Sequence, residues 1–335
     1  MDHPSRVGKY EIEQFLGGGM SNVYRAKDTV LGRRVALKIL TASGAADLES
    51  KARFLQEART ASNLIHENII SVYDFGEDQG LPFIVMEYLE GESLRSAIRN
   101  GRAGDFPYRM KIALQVARAV DHIHSKKVIH RDIKPENIHI DAVGKVKMMD
   151  FGIAKSDGME LTRAGFTLGT PYYMAPEQVL GKMLSPQTDV YSFGVMLYEL
   201  LTGQRAISGD QVEAIFDQIL HRPLDLSALD RLNIPMDVTG LIRHCTTKPP
   251  AQRPNGLGEV ADRIEQILIV AHGSKPLKLP MPKIHGAEEP SRLEKLVERL
   301  PPELRAPRVL MGLTAVAMFV LVLLLYLVLL LARVV

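Results

Sequence analysis

The chain has 335 residues, with 41 Lys and Arg against 39 Asp and Glu and a formal net charge of +2. That near balance gives no electrostatic reason to expect a nucleic-acid partner, and a single cysteine, Cys245, excludes an intramolecular disulfide and fits a reducing compartment. The length exceeds one average domain, which permits a two-part catalytic unit with an appendage.

Residues 1–9 read as a polar N-terminal tail without the apolar core of a signal peptide. Tyr10 to Leu16 and Val23 to Asp28 read as two strands around Gly17-Gly18-Gly19-Met20-Ser21-Asn22. Taken alone that is a hairpin turn, but glycines also let a backbone approach a phosphate and present N–H donors. In Arg34 to Leu40, Val35, Leu37 and Ile39 share one face of a strand while Ala36 and Lys38 share the other. Asp47 to Asn63 reads as a helix carrying Glu57 between Phe54 and Ala61, a carboxylate on an apolar face that needs a partner. Two further strands, Ile69 to Phe75 and Leu81 to Met86, flank a turn at Gly76 to Gly80.

From Tyr108 to His124 the spacing of Ile112, Val116, Val120 and Ile123 predicts a helix. His122 and His124, two apart, point in different directions there and read as ordinary surface or core residues. The run His130-Arg131-Asp132-Ile133-Lys134-Pro135-Glu136-Asn137 follows, and thirteen residues after Asn137 comes Asp150-Phe151-Gly152. Short apolar runs beside them (Val128-Ile129, Ile138 to Ile140, Val146 to Met149) read as strands. Two carboxylates and a carboxamide on adjacent loops suit phosphoryl transfer from a nucleotide, where catalysis is mostly metal clamping and positioning of the attacking hydroxyl. Hard oxygen ligands fit Mg²⁺. Further on come Ala175-Pro176-Glu177 and a nearly all-apolar run, Val190 to Leu201, stopped by Thr202-Gly203 as a buried helix with a glycine cap would be. Cys245 reads as a small core residue.

The His-Arg-Asp-x-x-x-x-Asn, Asp-Phe-Gly and Ala-Pro-Glu motifs, in this order, resemble the protein-kinase family, and the resemblance runs from about Tyr10 to His272. Within that family it resembles the Hanks-type, eukaryotic-like serine/threonine kinases of the bacterial membrane-anchored kind. What this implies is an α+β, bilobal fold. The N-lobe (10–86) would hold a five-stranded antiparallel sheet and one helix, joined by a hinge (87–91) to a mainly helical C-lobe (92–272). Lys38 would hold the α- and β-phosphates of ATP and pair with Glu57. Asp132 would be the proton acceptor, Lys134 would neutralise a phosphate oxygen, and Asn137 with Asp150 would bind Mg²⁺ or Mn²⁺.

By the same resemblance, Gly17, Gly18, Gly19, Met20 and Ser21 would contact phosphate, although Leu16 and Ser21 stand where the family has glycines. Val23 and Ala36 would roof the adenine, Met86 would be the gatekeeper, and backbone groups of Glu87 and Leu89 would meet the base. His139 stands where the family has Leu or Met beneath the adenine, and stacking is expected of it. Asp189 would brace the catalytic loop, and Arg253 would pair with Glu177. The activation segment, Ile153 to Met174, contains Thr162 and Thr167, where phosphate would meet Arg131 and Lys155. Thr170 would belong to the substrate pocket. Asp-x-Lys-Pro-x-Asn favours serine and threonine as acceptors.

After His272 the composition changes. Residues 273–308 read as a Pro-, Lys- and Gly-rich linker ending in a short amphipathic helix over 291–300, whose role as membrane rest, homodimer contact or spacer is left open. Val309 to Ala332 is 24 residues without a charge, Asn, Gln or His. At about 1.5 Å per residue it is about 36 Å long and is expected to cross a lipid bilayer. Arg292, Lys295, Arg299, Arg305 and Arg308 precede it and only Arg333 follows, which places the kinase part in the cytoplasm. With only 333–335 beyond, no sensor domain is expected on the far side. The leading expectation is an active, tethered kinase acting on protein Ser/Thr. A silent nucleotide-binding scaffold and a small-molecule phosphotransferase are the two others.

Overall fold

Strand alternation organises the N-terminal half. In the computed structural model, which describes residues 4–150 and 171–271, Val35, Leu37 and Ile39 are buried with Tyr10, Tyr24, Ala26, Phe83 and Val85 on one face of a sheet. Ala36 and Lys38 take the other face, as their spacing predicts. The strands are β1 (Arg6–Val7), β2 (Tyr10–Gly18), β3 (Ser21–Asp28), β4 (Arg34–Leu40), β5 (Val72–Asp78) and β6 (Leu81–Glu87), in the antiparallel order β1-β2-β3-β4-β6-β5.

Three expectations change here. The sheet has six strands rather than five, because Arg6 and Val7 of the expected tail pair with Glu11 and Tyr10. The lobe has two helices rather than one, α1 (Ala42–Ala46) and α2 (Leu48–Ser62). Strand β5 starts at Val72 rather than Ile69, because Ile69 and Ile70 are drawn to the other lobe: the Ile70 amide donates to the Met148 carbonyl and the Met148 amide to the Asn68 carbonyl.

Helix α2 begins where Asp47 accepts the amides of Glu49 and Ser50, satisfying donors that the first turn leaves open. It lays Phe54 and Ala58 against Leu40 and Ile84, which places Glu57, one residue from Ala58, beside the Lys38 face.

The C-terminal half begins with β7 (Glu92–Ser93) and α3 (Leu94–Arg99), and then α4 (Phe106–Ser125), capped by Asp105 and burying Ile112, Val116, Val120 and Ile123. Strands β8 (Ile138–Ile140) and β9 (Val146–Met148) complete a small sheet in the order β7-β8-β9, whereas Val128 and Ile129 form no strand. Gly91 makes the approach to this sheet possible: at its φ of 124°, a Cβ would stand 2.2 Å from the Ile140 carbonyl oxygen.

Helices α5 (Pro176–Val179), α6 (Pro186–Thr202), α7 (Val212–His221), α8 (Ser227–Arg231), α9 (Met236–Cys245) and α10 (Leu257–Ala271) follow. The apolar run around Val190 is the buried centre of α6, and Gly203 ends it in the left-handed region, φ 73°. Helix α9 packs closely on it because residue 194 has no side chain; a Cβ there would meet Cys245 Cβ at 2.7 Å. Cys245 is fully buried, as expected.

Among the described residues no helix is long and apolar enough to cross a membrane. The expected span 309–332, the linker 273–308 with its helix 291–300, and Phe151, Gly152, Lys155, Thr162, Thr167 and Thr170 lie outside the described residues.

Candidate active site

The face of the sheet that carries Lys38 meets the end of β9. Lys38 Nζ lies 2.9 Å from Glu57 Oε1 on α2 and 2.9 Å from Asp150 Oδ1, two residues past β9. Burial by itself would lower the Lys38 pKa, but the Asp150 and Glu57 carboxylates reverse that and raise it above the ordinary lysine range. Lys38 in turn holds Asp150 below the usual carboxylate range, against burial. For Glu57, burial prevails and pushes its pKa up, with Lys38 opposing. The shared ammonium therefore favours the anion of Asp150.

A second cluster is built by the loop before β8. Lys134 Nζ donates to Asp132 Oδ2 at 2.8 Å, and Asn137 Nδ2 donates to both the Asp132 carbonyl and Asp132 Oδ2 at 2.9 Å. With its NH₂ so engaged, Asn137 has Oδ1 left to meet a cation. The two clusters face each other: the Met149 amide donates to the Asn137 carbonyl at 2.8 Å, and Asp150 feels the charges of Asp132 and Lys134. Arg131 and Asp150 hold φ at 66° and 45°, a region that costs a non-glycine residue about 1–3 kcal/mol and recurs at functional sites. The donor set of Asp150 Oδ2 and Asn137 Oδ1 is hard oxygen, which fits Mg²⁺ or Mn²⁺.

The catalytic loop is held from beneath. Asp189 in the first turn of α6 is fully buried and accepts the amides of His130 (2.7 Å) and Arg131 (2.8 Å), the bracing expected of it. The ring of His124 also reaches Asp189 Oδ2, at 2.8 Å, so this histidine has a specific role where an ordinary core or surface residue was expected. Only fold topology reveals it, since 65 residues separate the pair. Arg95 on α3 was also missed. Its guanidinium donates to Glu136 at 2.8 Å and to Glu199 and Tyr173, fastening the turn that carries Asn137 to α6. Arg95 stands between Leu94 and Ser96 in a helix that also carries Arg99, so the local sequence does not single it out. Arg253 forms the expected fork on Glu177, at 2.7 and 2.8 Å, with both partners buried.

On the nucleotide side, strand pairing sets Val23 opposite Lys38 and Ala36 opposite Met86, so these residues share the Lys38 face. The glycine stretch is narrower than its sequence suggests. Gly17 and Gly18 lie within β2, paired with Val23 and Asn22, and only Gly19 and Met20 form the turn before Ser21 opens β3. The Gly19 amide donates to the Ser21 carbonyl, and the Met20 carbonyl accepts from both the amide and the hydroxyl of Thr41. Of the backbone N–H donors expected to meet phosphate over 17–21, that of Gly19 is engaged within the lobe, whereas the Met20 carbonyl is an acceptor and does not bear on phosphate. At the hinge the Glu87 amide donates to the Ser71 carbonyl, so of its backbone groups only the carbonyl remains a candidate for a base. Leu89 lies in the irregular segment that follows.

His139 and Lys147 are cross-strand partners in β8 and β9, on the face opposite the buried Ile138 and Ile140. Lys147 Nζ reaches Glu87 Oε2 at 2.7 Å, which shows that this face looks at the hinge. Burial lowers the His139 pKa, with a hydrogen bond to the Glu90 backbone opposing.

A family model for the protein kinase domain matches residues 10–268. The chain is 39% identical over 250 residues to the serine/threonine-protein kinase PrkC of Bacillus subtilis, covering 73% of this chain and 38% of PrkC. It is 36% identical over 282 residues to PknA of Mycobacterium tuberculosis (82% and 65% covered) and 35% identical over 285 residues to PknB of Mycobacterium leprae (83% and 45%). The crystal structure of Rad53 1–466 in complex with AMP-PNP is similar with a TM-score of 0.63 at 25% identity, over 76% of this chain and 64% of that one. The chain belongs to the protein kinase domain family, with its likeness to the Hanks-type serine/threonine kinases of bacteria. It spans 38 to 65% of the length of these curated relatives.

Proposed function

We propose that this protein transfers the γ-phosphoryl group of ATP to serine and threonine hydroxyls of proteins. One observation carries the reading: Lys38 Nζ stands 2.9 Å from both Glu57 and Asp150, so a cation from the sheet and a carboxylate from the end of β9 share one cleft. Lys38 holds the α- and β-phosphates, and Glu57 fixes where Lys38 can reach. Asn137 and Asp150 hold Mg²⁺ by oxygen, and that ion, when bound, supplies the charge that neutralises the phosphate oxygens. Asp132 accepts the hydrogen bond of the incoming hydroxyl and orients it toward the phosphorus, while Lys134, bonded to Asp132, offsets charge on the transferring group. The Glu87 carbonyl and Leu89 meet the adenine edge beneath Val23 and Ala36, with Met86 behind it. Gly17 to Ser21 lie over the phosphates.

Two further elements belong to the same reading. The run 309–332 anchors the chain in a bilayer, and the five basic residues between 292 and 308 keep the catalytic part on the cytoplasmic side. Autophosphorylation at Thr162 or Thr167 orders the activation segment through Arg131 and Lys155. Intact-mass and peptide mapping after incubation with ATP checks this, and the absence of phosphate from both threonines would remove it.

The deciding experiment incubates the full chain with γ-labelled ATP, Mg²⁺ and a generic protein acceptor, followed by phosphoamino-acid analysis. Label on serine or threonine, lost in Lys38→Met and Asp150→Asn, is expected. Nucleotide binding without transfer would replace the enzyme by a scaffold.

A further inference from the structure

Two carboxylates and a phenol converge on one guanidinium beside the catalytic loop. Arg95 Nε donates to Glu136 Oε1 at 2.8 Å, Nη1 donates to Glu199 Oε1, and Nη2 donates to the Tyr173 hydroxyl, which itself donates to Glu199 Oε2. Glu136 comes from the turn before β8, Tyr173 from the stretch before α5 and Glu199 from α6, whereas the cation comes from α3. Among the described residues neither glutamate makes another ion pair. Two carboxylates held this close repel each other, so without Arg95 the three acceptors form a site for a cation. Their fork suits a guanidinium, whose planar N–H donors meet carboxylates in this way.

The pocket opens on the side of the acceptor. The Arg95 and Glu136 side chains are 21% and 34% exposed, whereas Glu199 at the floor is 3% exposed. Glu136 directly precedes Asn137, whose amide nitrogen lies 2.9 Å from Asp132 Oδ2, the carboxylate that orients the incoming hydroxyl. A peptide with its hydroxyl at Asp132 extends by at most about 3.5 Å per residue, so a long side chain two or three positions from the acceptor comes level with Glu136.

We propose that Arg95 fills, from within the chain, a pocket that would otherwise take a basic side chain of the acceptor protein, and is thereby a specificity-determining residue. With the pocket filled, the chain phosphorylates serine and threonine without requiring an arginine or lysine at that flanking position. The inference rests on the kinase reading and narrows the class of acceptor that reading leaves open.

The test compares the full chain with Arg95→Ala on threonine peptides in which each flanking position is varied in turn, with ATP and Mg²⁺. The wild type should show no selection for arginine two or three positions from the acceptor. Arg95→Ala should gain it at one such position, by about 10- to 100-fold in kcat/KM, the range of a hydrogen bond to a charged group. Adding Glu136→Gln should weaken the gained selection. Methylguanidinium, a free mimic of the lost group, should raise the melting temperature of Arg95→Ala and compete with the arginine peptide.

A folded Arg95→Ala that selects no basic residue would overturn the inference, as would a wild type that already selects arginine where the variant does. If Arg95→Ala does not fold, Arg95→Gln carries the same comparison. Failure of both to fold, even with methylguanidinium, would make Arg95 a fastener only and would also overturn it. If the wild type transfers phosphate and the variants gain no selection, only this inference falls; if the wild type labels no peptide or protein, the kinase reading falls with it.

Discussion

Lys38 Nζ and Asp150 Oδ1 are 2.9 Å apart although 112 residues separate them, and Glu57 closes on the same ammonium. Three elements with separate structural reasons for their positions thus meet at one atom. Strand alternation turns Lys38 to this face, packing of Phe54 and Ala58 brings Glu57 there, and the Met149–Asn137 bond places Asp150. Replacing Glu57 by Gln should leave Lys38 bound to Asp150 alone. We expect the KM for ATP to rise and kcat to fall by about 10- to 100-fold, the cost of misplacing a positioning group. Steady-state kinetics over a range of ATP concentrations measures it.

Asp189 binds the two amides that precede Asp132, so its removal should act on chemistry more than on nucleotide capture. Asp189→Asn replaces one acceptor oxygen by a donor facing backbone N–H groups. The expected result is a drop in kcat of about 100-fold with nucleotide affinity nearly unchanged. A kcat close to the wild-type value would show that the loop does not depend on this brace. A matched loss in affinity, read by titration calorimetry, would show that the brace supports nucleotide capture as much as chemistry.

The Arg253–Glu177 fork is buried, and for that reason it differs from the exposed ion pairs of the surface. Burial works against the Glu177 charge, but Arg253 outweighs it and holds the carboxyl below its usual range. Arg253→Met leaves that charge without its partner and should cost about 3–5 kcal/mol in urea unfolding. The depressed folded pKa makes the pair's contribution complete above the ordinary glutamate range and lost as pH falls through the lower folded value. Acid unfolding of the wild type should therefore include a step that Glu177→Gln removes.

Lys248 gives a slope of the same sign at the other end of the pH range. Burial, then the nearby Arg253, push its pKa from 10.5 down to about 8. Between these values the unfolded chain still binds the proton that the folded chain has released, so stability rises with pH across that window. Chemical denaturation between pH 8 and pH 10.5 should show the rise in the wild type and a flatter profile in Lys248→Met.

Helices α6 and α9 meet where Gly194 has no side chain. In Gly194→Ala the new Cβ would stand 2.7 Å from Cys245 Cβ and 2.8 Å from Thr246 Cγ2. Overpacking of this kind costs about 1–3 kcal/mol. Thr246→Ser, which deletes Cγ2, should restore part of the melting temperature that Gly194→Ala loses.

Much of this site is legible from local pattern. Alternation around Lys38, the apolar setting of Glu57 and the spacing from Asp132 to Asn137 each depend on neighbours within a few positions, and each places its side chain where the pattern predicts. What escapes such reading is long-range or very short. Arg6 and Val7 are too few to announce a strand, and Thr41 ties down the glycine turn through a carbonyl 21 residues away. His124 and Arg95 acquire their roles only when α6 passes beneath them, bringing Asp189 and Glu199 within reach. Ile69 and Ile70 read as strand by composition, yet the competing partner in β9 wins them.

The central claim is that Lys38 and Asp150 act as one unit on a single metal-bound nucleotide, and a double-mutant cycle on kcat/KM tests it most directly. Each of Lys38→Met and Asp150→Asn should cost about 10³-fold or more, and the double variant should be scarcely worse than either, because groups acting together are strongly non-additive. Losses that simply multiply in the double variant, or either single variant turning over at nearly the wild-type rate, would contradict it.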